Sequence, residues 1–393
     1  MKIAFVYNAP QVYSGSGFVL SYLQTYLSSL NEAEIITLTE TPHLTGRKYN
    51  SVVNPKYVLN KPKLPARGKR LSKWVYWLLI PKMLRQAKKE CMKFKPDAVV
   101  GVFPDEYFTW MGYRLAKSLD VPFFPWFHNT YAENRTGLGR ILGKHLQSVL
   151  FSKSDLVFTM SDGMTEYYQK RYSKYFSKFQ TLQHGTTITD TIGKKSSDRD
   201  DNRIRIVYMG NLSLSYYEAT ARLFRIAGNN PSIEIHIFSN TNENIFCRLT
   251  DNDPAIVYHG FVEDESEMLD LILQCDLCFV PLGLSGPISS IEYETIFPTR
   301  IIGMLRYGLP LLVHAPENSF LVRFVREKDC AFDVTLPDDD LLMETINSIV
   351  DQPEVAREKI NGAIAASEYF NVKKTGEILM KAIQDSIQNR KSL

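Results

Sequence analysis

Short apolar runs alternate with longer amphipathic stretches along the whole chain, and this alternation decides what it can fold into. Runs rich in Val, Ile, Leu and Phe fall at 3–7, 34–38, 98–103, 123–127 and 156–159, then at 204–209, 233–238, 256–258, 277–281 and 311–313. Helical patterns fall between them at 18–30, 107–119, 163–172, 217–227, 265–274 and 341–350. A continuous apolar run is what a strand covered on both faces needs, and an intervening helix is the connection that parallel pairing demands. The expected class is therefore α/β, with two doubly wound parallel sheets.

At 393 residues the chain is longer than one core sustains. The polar run Lys194-Lys195-Ser196-Ser197-Asp198-Arg199-Asp200-Asp201, inside 186–202, marks the expected joint. Residues 1–186 then form an N-terminal Rossmann-like domain, 187–372 a C-terminal one, and 373–393 a last helix that crosses back to the first. Two such domains would face each other across a cleft at the carboxyl ends of their strands, where doubly wound sheets bind ligands.

The 46 basic and 43 acidic residues nearly cancel, which argues against a nucleic-acid partner recruited by overall charge. Five scattered cysteines suit reduced thiols, and the Cys275/Cys278 pair sits in an apolar run that reads as core. The first strand starts at Lys2, leaving no room for a signal peptide, and no apolar run is long enough to span a bilayer. The expected location is the cytoplasm, with peripheral contact at the inner face of the plasma membrane. That contact is assigned to 61–95: Lys61, Lys63, Arg67, Lys69, Arg70 and Lys73 precede Trp74-Val75-Tyr76-Trp77-Leu78-Leu79-Ile80, more cations follow, and Glu90 is the only acid. Cations for anionic head groups and indoles for the boundary suit an interfacial segment; an amphipathic helix packed on the sheet accounts for the same tryptophans.

A further stretch carries chemistry. Phe297-Pro298-Thr299-Arg300-Ile301-Ile302-Gly303 leads through Gly308-Leu309-Pro310 into Leu311-Leu312-Val313 and reads as loop, helix and strand. Pro298 presets the first helical turn and Gly308 ends the helix. Free N–H groups at the helix start, the Thr299 hydroxyl and the Arg300 charge together make the parts of a diphosphate cradle. An ordinary capped αβ unit explains the same residues.

Taken in order, several segments resemble the GT-B fold glycosyltransferases, in particular the retaining, nucleotide-sugar-dependent enzymes of family 4. They are the opening strand with Ser14-Gly15-Ser16-Gly17-Phe18, Trp126-Phe127-His128-Asn129-Thr130, Phe158-Thr159-Met160-Ser161, His184-Gly185-Thr186-Thr187, Val207-Tyr208-Met209-Gly210-Asn211-Leu212, and 297–310. The resemblance implies transfer of a sugar from a nucleotide-diphosphate donor, a substrate and not a cofactor, to a glycan or lipid-linked acceptor. It further implies a place in surface polysaccharide or glycoconjugate synthesis, retained anomeric configuration and no required metal. Gly15 and Gly17 would approach the donor phosphates, His128 would stand at the reaction centre, and Gly210, Asn211, Pro298, Thr299 and Arg300 would surround the donor. Glu294, with Glu292 nearby, would face the sugar.

Two departures from that pattern matter. The arginine and lysine usual after Gly210 are Asn211 and Tyr216 here, so Arg300, aided by Arg135 or Arg323, has to neutralise the diphosphate. The usual ribose-holding glutamate is Gly303, which suits a donor with fewer hydroxyls to grip, such as a dTDP-sugar. The loop Gly283-Leu284-Ser285-Gly286-Pro287 reads as flexible enough to close over a donor. Asp251 with Asp253, and Asp338 with Asp340, read as solvated turns and not as a metal site. Two other readings keep the fold: a sugar-nucleotide epimerase of the same architecture, and a non-catalytic scaffold subunit.

Overall fold

The structure, a computed structural model, describes residues 1–8, 15–30, 32–40, 53–59, 69–187, 203–213, 215–250, 253–262, 265–286 and 289–392. The chain divides into two compact units, Met1–Thr187 with Asn371–Leu393, and Ile188–Phe370. The joint expected over 186–202 lies outside the described residues from 188 onward, as do Lys61, Lys63 and Arg67.

Seven strands form the sheet of unit 1: β1 (Lys2–Val6), β2 (Glu34–Glu40), β3 (Pro55–Leu59), β4 (Ala98–Phe103), β5 (Phe123–Phe127), β6 (Val157–Thr159) and β7 (Phe179–Thr181). Their order is β3-β2-β1-β4-β5-β6-β7, and every pair is parallel. Its helices are α1 (Gly15–Ser29), α2 (Lys69–Phe94), α3 (Glu106–Leu119), α4 (Gly137–Lys153) and α5 (Asp162–Arg171). Unit 2 holds β8 (Ile204–Met209), β9 (Ile233–Phe238), β10 (Ile256–Gly260), β11 (Leu277–Pro281), β12 (Leu311–His314) and β13 (Phe332–Val334), again all parallel, in the order β10-β9-β8-β11-β12-β13. Around that sheet lie α6 (Tyr217–Asn229), α7 (Glu243–Thr250), α8 (Glu265–Ile272), α9 (Ser290–Thr295), α10 (Arg300–Met304), α11 (Phe320–Glu327), α12 (Asp339–Asp351) and α13 (Pro353–Ser367). The final helix, α14 (Val372–Lys391), belongs to unit 1.

All ten expected strands are present, because their continuous apolar runs match strands buried on both faces; every residue of β4, β5 and β11 is buried. The three strands without such a run, β3, β7 and β13, all lie at sheet edges. Polar residues such as Lys56, Gln180 and Asp333 are tolerated there. Cys275 and Cys278 are buried free thiols, in keeping with a core reading of that pair.

Crossovers between parallel strands are right-handed, so the direction of each step fixes the face on which its helix lies. The steps β3 to β4, β4 to β5, β5 to β6 and β6 to β7 all run the same way, which puts α2, α3, α4 and α5 on one face. The step β1 to β2 runs the other way and puts α1 on the opposite face. The contacts agree, since α2 packs on α3, and α14 on α1. Leu379, Met380 and Ile383 of α14 join Leu20, Leu23 and Leu27 of α1 in the core on that face.

The entry to α14 is tight. Thr186 bridges to Asn371, and a Cβ on Gly185 would lie 2.5 Å from the Val372 Cα and 2.7 Å from the Thr375 hydroxyl. Only a residue without a side chain lets the two segments approach so closely. Gly185→Ala should therefore destabilise the protein by about 1–3 kcal/mol in urea unfolding. Gly139→Ala, whose Cβ would meet nothing within 4 Å, should leave the midpoint unchanged or slightly raised.

Candidate functional site

In unit 2 the strand order reverses between β8 and β11, and the crevice outside their carboxyl ends is where a doubly wound sheet binds ligands. β8 leads into Gly210 and Asn211, and β11 into Leu282 and Gly283. Gly210 has φ +100°, and a Cβ on it would lie 3.0 Å from the Arg300 guanidinium carbon. Glycine is thus required there for both backbone and space. Arg300 opens α10; its Nη2 donates to the Asn211 carbonyl at 3.2 Å, and the Tyr208 hydroxyl donates to that same oxygen at 3.3 Å. The guanidinium lies 4.0 Å from the Tyr216 ring centre and 5.5 Å from that of Tyr208. Its Nη1 is shielded from solvent and has no hydrogen-bond partner among the described residues. Burial pushes the Tyr216 phenol pKa up, with the Arg300 charge pulling the other way and the buried Glu292 carboxylate adding to the rise. A neutral aromatic bed therefore holds one cation at the switch point.

The matching edge of unit 1 collects ionisable groups. Glu40 ends β2, Asp105 follows β4 at the reversal between β1 and β4, His128 follows β5, and His184 lies beyond β7. His128 is buried, with its ring centre 4.5 Å from those of Trp126 and His184, and neither ring nitrogen has a hydrogen-bond partner among the described residues. Burial, and then the neighbouring His184, hold the His128 pKa well below the usual imidazole range. Burial lowers His184 to about 3, so both rings are neutral at physiological pH. The Trp126 indole donates to the Leu182 carbonyl at 3.0 Å and fixes the stack. Asp105 stands at the N-cap of α3 without capping it, and its buried Oδ1 has no hydrogen-bond partner among the described residues. Its pKa is pushed up to about 8, first by burial and further by the charges of Glu106 and Glu40, while the Tyr107 hydroxyl opposes the rise.

No family model and no curated protein matches the chain. Solved structures do. A glycosyltransferase from Rickettsia africae aligns over 99% of both chains with a TM-score of 0.72 and 13% identity. Sucrose-phosphate synthase from Thermosynechococcus elongatus aligns over 98% of both chains with a TM-score of 0.75 and 12% identity. HepE from Anabaena, in complex with UDP and glucose, aligns over 98% of this chain and 99% of its own, with a TM-score of 0.69 and 13% identity. The fold is GT-B.

Within the GT-B frame, the structure gathers Gly210, Asn211 and Arg300 into one cluster and changes several expectations. Pro298 does not preset a helical turn, because α10 begins at Arg300 with Thr299 as its N-cap. The Thr299 hydroxyl makes no cap, and the Ile301 and Ile302 N–H groups donate to the Pro298 and Thr299 carbonyls at 3.1 and 3.2 Å. Two N–H groups of the helix start are thus used within its own turn. Gly308 does not end the helix, which closes at Met304; it occupies a turn further on at φ +69°. A Cβ on Gly303 would lie 3.2 Å from the Tyr307 hydroxyl, so the phenol crowds the space a side chain at 303 would enter.

The buried Glu292 acts electrostatically on Tyr216, while Glu294 accepts from the Asn318 amide at 3.2 Å. The loop after β11 is tied down where flexibility was expected: Gly283 donates to the Ser215 carbonyl at 2.7 Å and Leu284 to Glu218 Oε2 at 2.9 Å. Pro287 lies outside the described residues. In unit 1 Arg135 is ion-paired to Glu106 at 3.0 Å, and in unit 2 the exposed Arg323 lies over the Phe320 ring. Asp338 caps α12 and Asp253 accepts from Ala255, each serving its own turn. Gly15 and Gly17 fall in the first turn of α1 and not in a loop; residues 9–14, which precede them, are outside the described residues.

Sequence reading gave no role to Asp105, Glu40 or Tyr307, and quoted His184 in a motif without assigning it one. The available signal was an acid directly after Val102-Phe103-Pro104, at the end of a fully apolar strand. Because the folded Asp105 holds a proton that the unfolded chain releases above the ordinary carboxyl value of 3.8, stability falls as pH rises from about 4 to about 8. Asp105→Asn removes that penalty. The melting temperature of the variant minus that of the wild type should therefore grow between pH 5 and pH 8.5 by at least about 3 °C, and a pH-independent difference would contradict the assignment.

Proposed function

We propose that the chain is a glycosyltransferase whose second unit grips a nucleotide-diphosphate sugar and whose first unit receives a glycan or lipid-linked acceptor at its carboxyl edge. The observation that carries this reading is the Arg300 guanidinium at the β8/β11 switch point, with one nitrogen unpartnered among the described residues. A departing diphosphate carries growing negative charge, and a preorganised cation in a water-poor site stabilises it without reorganising during the reaction. Tyr216 and Tyr208 hold the planar cation, and a lysine would not stack or fork in the same way. The cation absent from positions 211 and 216 is thus supplied from α10.

The other roles follow from protonation. Neutral His128 offers a hydrogen bond to a sugar hydroxyl and no charge. Asp105, with a pKa of about 8, offers either a donor or an acceptor to the incoming hydroxyl near neutral pH. Glu292, beside Tyr216, faces the donor sugar. Retention, metal independence and a role in polysaccharide synthesis belong to the same reading, and the arginine-based charge neutralisation supports the second of them. The HepE structures hold UDP or UDP-glucose, which makes uridine donors the first to screen, with dTDP-sugars beside them because position 303 offers no carboxylate to the ribose.

Calorimetric titration with a panel of UDP-, GDP- and dTDP-sugars tests the donor site. One donor should bind the wild type, and Arg300→Ala and Arg300→Lys should each lower kcat/KM about 100- to 1000-fold without altering the melting temperature of the free protein. Turnover should survive chelation of divalent metals. An epimerised nucleotide sugar formed without acceptor would replace the transferase reading.

A further inference from the structure

We propose that the first two turns of α4 dock this protein on an anionic bilayer surface. Leu138, Ile141 and Leu142 are 78%, 64% and 57% exposed, and their spacing puts them on one face of the helix. Large apolar side chains exposed singly are ordinary, but three within one turn and a half form a ridge that water covers badly. Charge decides what covers it. Arg140, Lys144 and His145 are exposed in the same turns, and no acidic residue occurs from Asn134 to Ser154. An apolar ridge rimmed by one sign of charge matches the interface of a membrane with negative head groups.

Topology places a second basic surface on the same side. α2 and α4 lie on the same face of the sheet, and α2 presents exposed Lys82, Arg85, Lys88 and Lys89, with Leu78 79% exposed beside them. This division of labour replaces the one read from sequence. Tyr76 is buried and stacked on Tyr107 at 4.6 Å, Ile80 is buried and Trp77 half-buried, so α2 contributes mainly cations and α4 the inserting side chains. No helix among the described residues is long and apolar enough to cross a membrane, which fits docking on the surface. The ridge also sits where α4 begins, at the carboxyl edge that carries His128, so docking would hold that edge beside lipid-borne acceptors. To that extent the inference deepens the lipid-linked half of the proposed function, but its test needs neither donor nor acceptor and fails or succeeds independently.

Flotation of the full chain with phosphatidylcholine vesicles, with and without phosphatidylglycerol, reads the contact directly. The wild type should float only with the anionic vesicles. Leu138→Ser/Ile141→Ser/Leu142→Ser and Arg140→Ala/Lys144→Ala should each reduce the bound fraction at least about tenfold, with unchanged circular dichroism. Ile141→Glu alone should act in the same direction, and Leu336→Ser, a 58% exposed leucine of unit 2, should have no effect. The inference is overturned if the wild type stays with neither vesicle or with both equally, or if the triple variant floats like the wild type. It is likewise overturned if the ridge proves to be a dimer contact, seen as a lipid-free dimer that the triple variant dissolves.

Discussion

Parallel pairing is the constraint on which the rest depends. Every strand pair in both sheets is parallel, so each connection must travel back over a face, and all strands of a sheet end at one edge. Residues far apart in sequence are gathered there. Glu40, Asp105, His128 and His184 meet at the edge of unit 1; Gly210 and Gly283 meet at that of unit 2. The reversal of strand order then leaves one gap per sheet where no crossover covers the edge, and Asp105 and the Gly210–Arg300 contact stand at these gaps.

The second unit shows how a cation can be held at a strand end from outside the strand's own loop. A guanidinium brought in from another element needs three things: room at the strand end, a flat surface to lie on and an anchor for one nitrogen. Gly210 leaves the room, Tyr216 and Tyr208 provide the surface, and the Asn211 carbonyl anchors Nη2. A β-carbon at position 210 would take the space of the guanidinium and strain the backbone at φ +100°, so the glycine and the arginine constrain each other.

Much of this architecture was legible because burial on both faces writes an unambiguous apolar run, as in Ala98–Phe103 and Leu277–Pro281. Three of the four edge strands, Pro55–Leu59, Phe179–Thr181 and Phe332–Val334, write no such run and went unread. α4 was unread for another reason. Gly137, Gly139 and Gly143 dilute its helical pattern, and Leu138, Ile141 and Leu142 face outward while Leu146, Leu150 and Phe151 face the core. The pairing of Arg300 with the strand end at Gly210 was suggested by chemistry, since a cation was expected there and positions 211 and 216 supply none. Its mode of presentation was not, because α10 spans only five residues and its capping geometry depends on local turns that sequence does not specify. The choice between Glu292 and Glu294 likewise turns on which face of α9 is buried.

Buried polar groups without hydrogen-bond partners are costly, and these two edges concentrate them: Asp105 Oδ1 and both nitrogens of His128 in unit 1, Arg300 Nη1 in unit 2. Apolar residues of similar shape would remove the cost at each position, so stability alone gives no reason for these side chains. A ligand that offers complementary donors and acceptors does, because it satisfies the groups only in the folded protein and thereby stabilises that state. An arginine requires an anion, a neutral imidazole pair requires hydroxyls, and a carboxyl poised near pH 8 requires a partner that can give or take a proton. Each edge thus carries unsatisfied groups whose cost a bound ligand, and not the folded chain alone, would offset.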